Sequence, residues 1–180
     1  LDPHSGHQQG VNLSGTKAVL DWISGPTDFR GVNLAGVSFT NSELSSAQFD
    51  QTTIFSFLDP YTGQQQGVNL SGTNAMLTGL SGNIDFRGVN LAGVSFSGSD
   101  LSGAQFDHTT IFSFQDPQTG QQQGANLSGT NAMLTGLFGN IDFRGVNLAG
   151  VSFSASDLSS AQFDQTTIFS FLDPNSGQQQ

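Results

Sequence analysis

An all-β, four-sided coil is the fold class this sequence predicts, and three observations predict it. A 57-residue unit beginning at Leu1 restarts at Leu58, Gln115 and Leu172. Inside each unit runs a shorter period of five. At the centre of each five stands a large apolar residue, preceded two positions earlier by a small or β-branched one. A period of five matches neither the 3.6 of a helix nor the 2 of a plain strand. It matches a coil with one short extended edge and one turn per five residues. Side chains two apart in an extended edge point the same way, so the centre and the residue two before it share the inner face.

The long period sets the organisation. The chain reads as one repeat solenoid over 1–180, built from units 1–57, 58–114 and 115–171, with a fourth beginning at 172–180. Units two and three differ at seven aligned positions, among them Tyr61 against Gln118 and Ser81 against Phe138. Unit one diverges more, chiefly in Lys17-Ala-Val-Leu-Asp-Trp22 against Asn74-Ala-Met-Leu-Thr-Gly79. Units this alike are suited to stacking into something long and uniform. The chain lacks an initiator Met and stops inside the fourth unit, which reads as a segment of a longer array.

Unit two shows the short period cleanly. Ile84-Asp-Phe-Arg-Gly88 leads to Val89-Asn-Leu-Ala-Gly93, Val94-Ser-Phe-Ser-Gly98, Ser99-Asp-Leu-Ser-Gly103, Ala104-Gln-Phe-Asp-His108 and Thr109-Thr-Ile-Phe-Ser113. Over three units the centres are Phe29, Leu34, Phe39, Leu44, Phe49 and Ile54, then Phe86, Leu91, Phe96, Leu101, Phe106 and Ile111, then Phe143, Leu148, Phe153, Leu158, Phe163 and Ile168. They alternate aromatic and aliphatic. With four edges per coil, Phe29 is expected on Phe49 and Leu34 on Ile54, giving two opposite Phe walls and two aliphatic ones. Gly and Ser near the corners suit tight turns.

These stretches resemble the pentapeptide-repeat family, whose pattern is a small residue, Asp or Asn, Leu or Phe, a polar residue, then often Gly. The match covers Thr27–Ser56, Ile84–Ser113 and Ile141–Ser170, with weaker extensions over Val11–Gly25, Val68–Gly82 and Ala125–Gly139. The resemblance implies a right-handed, four-sided parallel β-helix with about 20 residues per coil. Nine such coils, spaced like neighbouring strands, would make a rod of about 40 Å.

The pattern breaks twice per unit, because 57 is eleven fives plus two. One extra residue falls at Pro26, Asn83 and Asn140. The other is placed in the long step from Ile111 to Leu127, where Asp-Pro-x-x-Gly reads as a turn and a Gln run follows. Two readings remain open. Each copy is offset by a quarter turn, or the segment leaves the coil as a loop between two-coil blocks; the loop is preferred. Phe55, Phe112 and Phe169 directly follow an inward Ile and are expected to point outward. Covered by the Asp-Pro loop they are packing; uncovered, they are candidate assembly contacts. The Gln triplets at 64–66, 121–123 and 178–180 read as solvated loop, with amide ladders between subunits as the alternative.

Composition excludes more chemistry than it suggests. Fourteen acidic residues stand against four basic ones, a net charge of −10, which disfavours nucleic acid and anionic membranes as partners. There is no cysteine, hence no disulfide and no thiolate metal site. No stretch reaches transmembrane length. His4, His7 and His108 do not recur between units, and two histidines near one end make a weak metal site. Asp28 and Asp50 occupy outward positions and read as surface charge rather than an acid–base pair. Asp28-Phe-Arg30, Asp85-Phe-Arg87 and Asp142-Phe-Arg144 recur, reading as local ion pairs or as contacts from Arg30, Arg87 and Arg144 to a neighbouring subunit. Neither a cofactor fingerprint nor a catalytic set is visible, so the expected protein is not an enzyme.

Two functions are consistent with this. The first is a structural solenoid segment of a surface or extracellular fibre, binding copies of itself head-to-tail or laterally; uncapped solenoid ends favour heterologous stacking. The second rests on the resemblance, since some members of the family are acidic rods that mimic DNA and occupy a topoisomerase such as gyrase. Charge weighs against it. Duplex DNA carries one charge per about 1.7 Å, so a rod of about 40 Å would match more than 20. An ice-binding face is disfavoured because the Thr pairs at 52–53, 109–110 and 166–167 occur once per unit.

Overall fold

The computed structural model describes residues 11–170 apart from Ser97 and Gln118. His4, His7, the Gln triplet at 178–180 and the fourth unit at 172–180 lie outside the described residues.

A regular five-residue step is built by two hydrogen bonds. The carbonyl of a centre accepts from the backbone N–H three residues on, as in Val37 to Leu34 at 2.9 Å and Val94 to Leu91 at 2.9 Å. The Asn or Asp before the centre accepts, through Oδ1, from the N–H two residues on: Asn33 from Ala35 at 3.1 Å, Asp85 from Arg87 at 3.0 Å. This gives the polar motif position a backbone role, holding the corner that follows each inward residue. Where the corner turns through a positive φ, as at Gly36 with φ 76°, only glycine enters without strain, as a type II turn requires.

Coils then stack in parallel. Isolated bridges join Asp28 to Gln48, Asn12 to Asn33, and Asn33 to Ile54, spacings of about one 20-residue coil. Short strands β1 (Val19–Asp21) and β2 (Ser38–Thr40) pair in parallel with Leu20 opposite Phe39. The architecture is a four-sided parallel β-helix. Its buried interior holds Phe29, Leu34, Phe39, Leu44, Phe49 and their counterparts in unit two, with Phe143 and Leu148 in unit three. Phe153 and Phe163 are exposed and Leu158 half-buried in the last described coil. Buried hydroxyls donate to carbonyls, as Thr73 Oγ1 does to Leu70 at 2.6 Å, and no buried side-chain N or O lacks a partner among the described residues.

The Ile centres are a correction. Ile54, Ile111 and Ile168 face outward at 45%, 45% and 43% exposure, while Phe55 and Phe112 are buried at 1%. The reason is a one-residue shift. After Phe49 the turn closes from Thr53 N–H to the Asp50 carbonyl, not one residue earlier. Thr53 therefore takes the inward slot two before the next centre, buried and donating to the Phe29 carbonyl at 3.0 Å. Phe55 follows as the centre, and Leu34 stacks on it instead of Ile54. The second extra residue of each unit thus lies between Phe49 and Phe55, not in the Asp-Pro step.

The Asp-Pro segment leaves the coil as expected, but the blocks it separates are two and a quarter coils rather than two, so the quarter-turn offset occurs as well. Strands β3 (Ser56–Leu58) and β4 (Gln65–Gly67) form an antiparallel hairpin that leaves the coil, as do β5 (Ser113–Gln115) and β6 (Gln122–Gly124). Asn12 belongs to the column Asn12–Asn33–Ile54, but its unit-two equivalent Asn69 stacks on Ser38, one edge further round. Asn126 repeats the step by stacking on Ser95. Each unit is therefore two and a quarter coils plus one extruded hairpin, offset by a quarter turn from its neighbour. Strands β7 (Met133–Thr135) and β8 (Ser152–Ser154) repeat the β1–β2 pairing in unit three.

The offset abolishes separate Phe and aliphatic walls. Instead one aromatic spine winds round the core: Phe29–Phe49, Phe49–Phe55, Phe55–Phe86, Phe86–Phe106, Phe106–Phe112 and Phe112–Phe143 follow with ring centroids 5.3–5.9 Å apart. Each Phe-to-Phe step over the shifted turn carries the spine one face round.

Candidate functional site

The structure concentrates polar chemistry where one unit meets the next. Each hairpin folds back onto the following unit. Gln65 donates to Ser56 Oγ at 2.6 Å and to Asp85 Oδ2 at 3.1 Å, while Ser56 Oγ donates to the Arg87 carbonyl. A methyl added at Gly67 would lie 2.2 Å from the Gly88 carbonyl carbon, so the return strand reaches its seat only because Gly67 lacks a side chain. Gln122, Ser113, Asp142, Arg144, Gly124 and Gly145 repeat the junction between units two and three.

Arg87 and Arg144 lie at these two junctions. Arg87 Nε donates to Asp85 Oδ1 at 2.9 Å and its Nη2 to Oδ2 at 2.8 Å, and Arg30 and Arg144 make the same fork on Asp28 and Asp142. The hydrogen bond it donates to Asp85 holds Arg87 above its ordinary pKa. Burial acts to raise Asp142, but the hydrogen bonds and charge of Arg144 outweigh it and the carboxyl sits below its ordinary value. The guanidinium forks are thus engaged within the edge, and being partly exposed they contribute little to stability.

A shallow cleft flanks each junction, about 160 Å³ beside Thr53, Ile54 and Asp85 and about 140 Å³ beside Thr110, Ile111 and Asp142. The second carries the contact that sequence reasoning missed. His108 stacks on Phe138 of the next unit at 4.1 Å. Both positions differ between units two and three, and the equivalent pair one unit earlier is Gln51 and Ser81. Coincidence of two unit-specific residues was readable in the sequence; their contact was not, because it depends on the quarter-turn offset.

Of the other candidate contacts, Phe55 and Phe112 are core, whereas Phe169 is 58% exposed. Among the described residues no group of three or more His, Asp or Glu converges on a metal position, and no helix is long and apolar enough to cross a membrane.

The matching segments of known proteins coincide with the coil edges. The family profile described as pentapeptide repeats matches in eight copies over residues 27–54, 83–111 and 138–168, leaving the hairpins outside. The chain belongs to the pentapeptide-repeat family. Its fold is accordingly the right-handed, four-sided β-helix, and proteins of this family are generally non-enzymatic structural or binding proteins. No curated protein matches the chain. Among solved structures, it is similar to trypsin-treated QnrB1, a plasmid-mediated fluoroquinolone resistance protein, at 17% identity and TM-score 0.33, covering 91% of this chain and 80% of that one. It is similar to Rfr23 from the cyanobacterium Cyanothece at 20% identity and TM-score 0.26, covering 79% and 90%. It is also similar to HetL from the cyanobacterium Nostoc, involved in heterocyst differentiation regulation, at 18% identity and TM-score 0.29, covering 90% and 66%.

Proposed function

We propose that this pentapeptide-repeat rod is a structural element that joins copies of itself end to end into a filament, at a cell surface or outside the cell. One observation carries the reading. The contact that seats unit two on unit one is the same contact that seats unit three on unit two, by one screw step of a quarter turn. A contact of that kind is heterologous and does not close, so repeating it between copies generates an open filament. The acidic-rod reading draws less support, since the Arg-paired edges at Asp28, Asp85 and Asp142 wind round the rod rather than forming one charged face.

Electron microscopy over a concentration series tests the proposal. Filaments with an axial rise of about 11 Å per unit, two and a quarter strand spacings, are expected. Discrete rods at every concentration would overturn it, and a supercoiling assay with a topoisomerase would then separate the acidic-rod reading from other binding roles.

A further inference from the structure

One residue of unit one sits where its own repeat asks for glycine. Trp22 adopts φ 59°, and the equivalent positions in units two and three are Gly79 and Gly136, with φ 68° and 64°. A bulky side chain in the left-handed region is strained, and such strain persists where the surroundings hold it. Here the Trp22 N–H is tied to the Thr40 carbonyl at 3.2 Å. The indole is 75% exposed and stacks on no ring among the described residues, so burial does not offset the strain.

The neighbours are polar and ordered. The residue before it, Asp21, also departs from the repeat, replacing Thr78 and Thr135. Asp21 Oδ1 accepts from Thr40 Oγ1 and from Asn41 Nδ2, both at 3.0 Å, so neither donor engages Oδ2. Asn41 is itself held at φ 47°. The pairing of Asp21 with Thr40 puts these groups on one face of β1 and β2, with Trp22 at its corner.

We propose that Trp22, Asp21 and Asn41 form a saccharide-binding platform confined to unit one. The polarised C–H face of a pyranose ring complements the negative face of the indole. Adjacent ring hydroxyls donate to the Asp21 carboxylate and exchange hydrogen bonds with the Asn41 amide. A protein partner would favour an aromatic anchor ringed by apolar contacts. Here Val19 is the exposed apolar side chain on β1, and Asp21, Thr40 and Asn41 are exposed and polar.

Trp22 is the only tryptophan of the chain, so its emission reports on the platform directly. Titration with cellohexaose, chitohexaose and laminarihexaose should give a saturable blue shift with at least one of them. The double variant Asp21→Thr, Trp22→Gly restores the dipeptide of units two and three, which fold with it at the equivalent edge of their own units. By calorimetry it should bind that hexasaccharide about tenfold or more weakly. With the left-handed strain removed it should melt about 2–4 °C higher than the parent. Unchanged emission with all three sugars at millimolar concentration, or a variant that binds like the parent, overturns the proposal. So does an emission shift driven by protein concentration alone, which would make a second copy the occupant.

Discussion

At the residue scale, the shifted turn after Phe49 makes Ile54 and Phe55 exchange roles, and a pair of substitutions reads this directly. Phe55→Ala or Phe112→Ala empties a fully buried link of the aromatic spine and should cost about 3–5 kcal/mol in chemical unfolding. Ile54→Thr, on the outer face, should stay within about 0.5 kcal/mol. Equal losses at both positions would show that the phase is wrong. The corner carboxylates respond to pH. The Asn74 amide holds Glu43 below its ordinary value, the Tyr61 N–H holds Asp59, and the Ser102 and Ser159 N–H groups hold Asp100 and Asp157. A depressed folded pKa contributes stability above the unfolded value and loses it as pH falls through the folded one. The melting temperature should therefore be level down to about pH 5 and fall below about pH 4. Asp100→Asn keeps the acceptor without the charge and should soften that fall. A protein that gains stability on acidification, through relief of its net −10 self-repulsion, would contradict this.

At the element scale, the hairpin is an inserted piece held by one close approach. Gly67→Ala drives a methyl into the Gly88 carbonyl and should lower the melting temperature sharply, whereas Gly63→Ala at the open tip should act only through its positive φ of 66°. Differential scanning calorimetry of the two variants separates seating from turn strain. The Asp-Pro-x-x-Gly signal was legible as a turn, and its departure from the coil was expected from the same residues. The strand pairing was not legible: Ser-Phe-Leu and Gln-Gln-Gly carry no hairpin pattern of their own. Their register is set by Ser56 and Gln65 reaching Arg87 and Asp85 on the next unit.

At the scale of the whole molecule, unit stability should add along the rod, because each unit contacts only its neighbours. Chains of two, three and four units should show unfolding free energies rising linearly with unit number, while a plateau would show that the coils unfold independently. Four quarter turns bring the hairpins back to one face, so four-unit assemblies should repeat their outline after about 43 Å, nine strand spacings. What the sequence determined by itself was local: a period of five places a large apolar residue inward on most edges, the Ile edges excepted, and Asn or Asp before it closes the corner, so short extended edges joined by turns round a Phe-rich core follow from pattern alone. Only the tertiary structure decided the phase between units. One residue of slip after Phe49 changes no local propensity, yet it selects Phe55 over Ile54 for the core. The choice lies in which side chain fits against Phe49 on the preceding edge and between Leu34 and Phe86 on the coils to either side, and that is a property of stacked coils rather than of any single one.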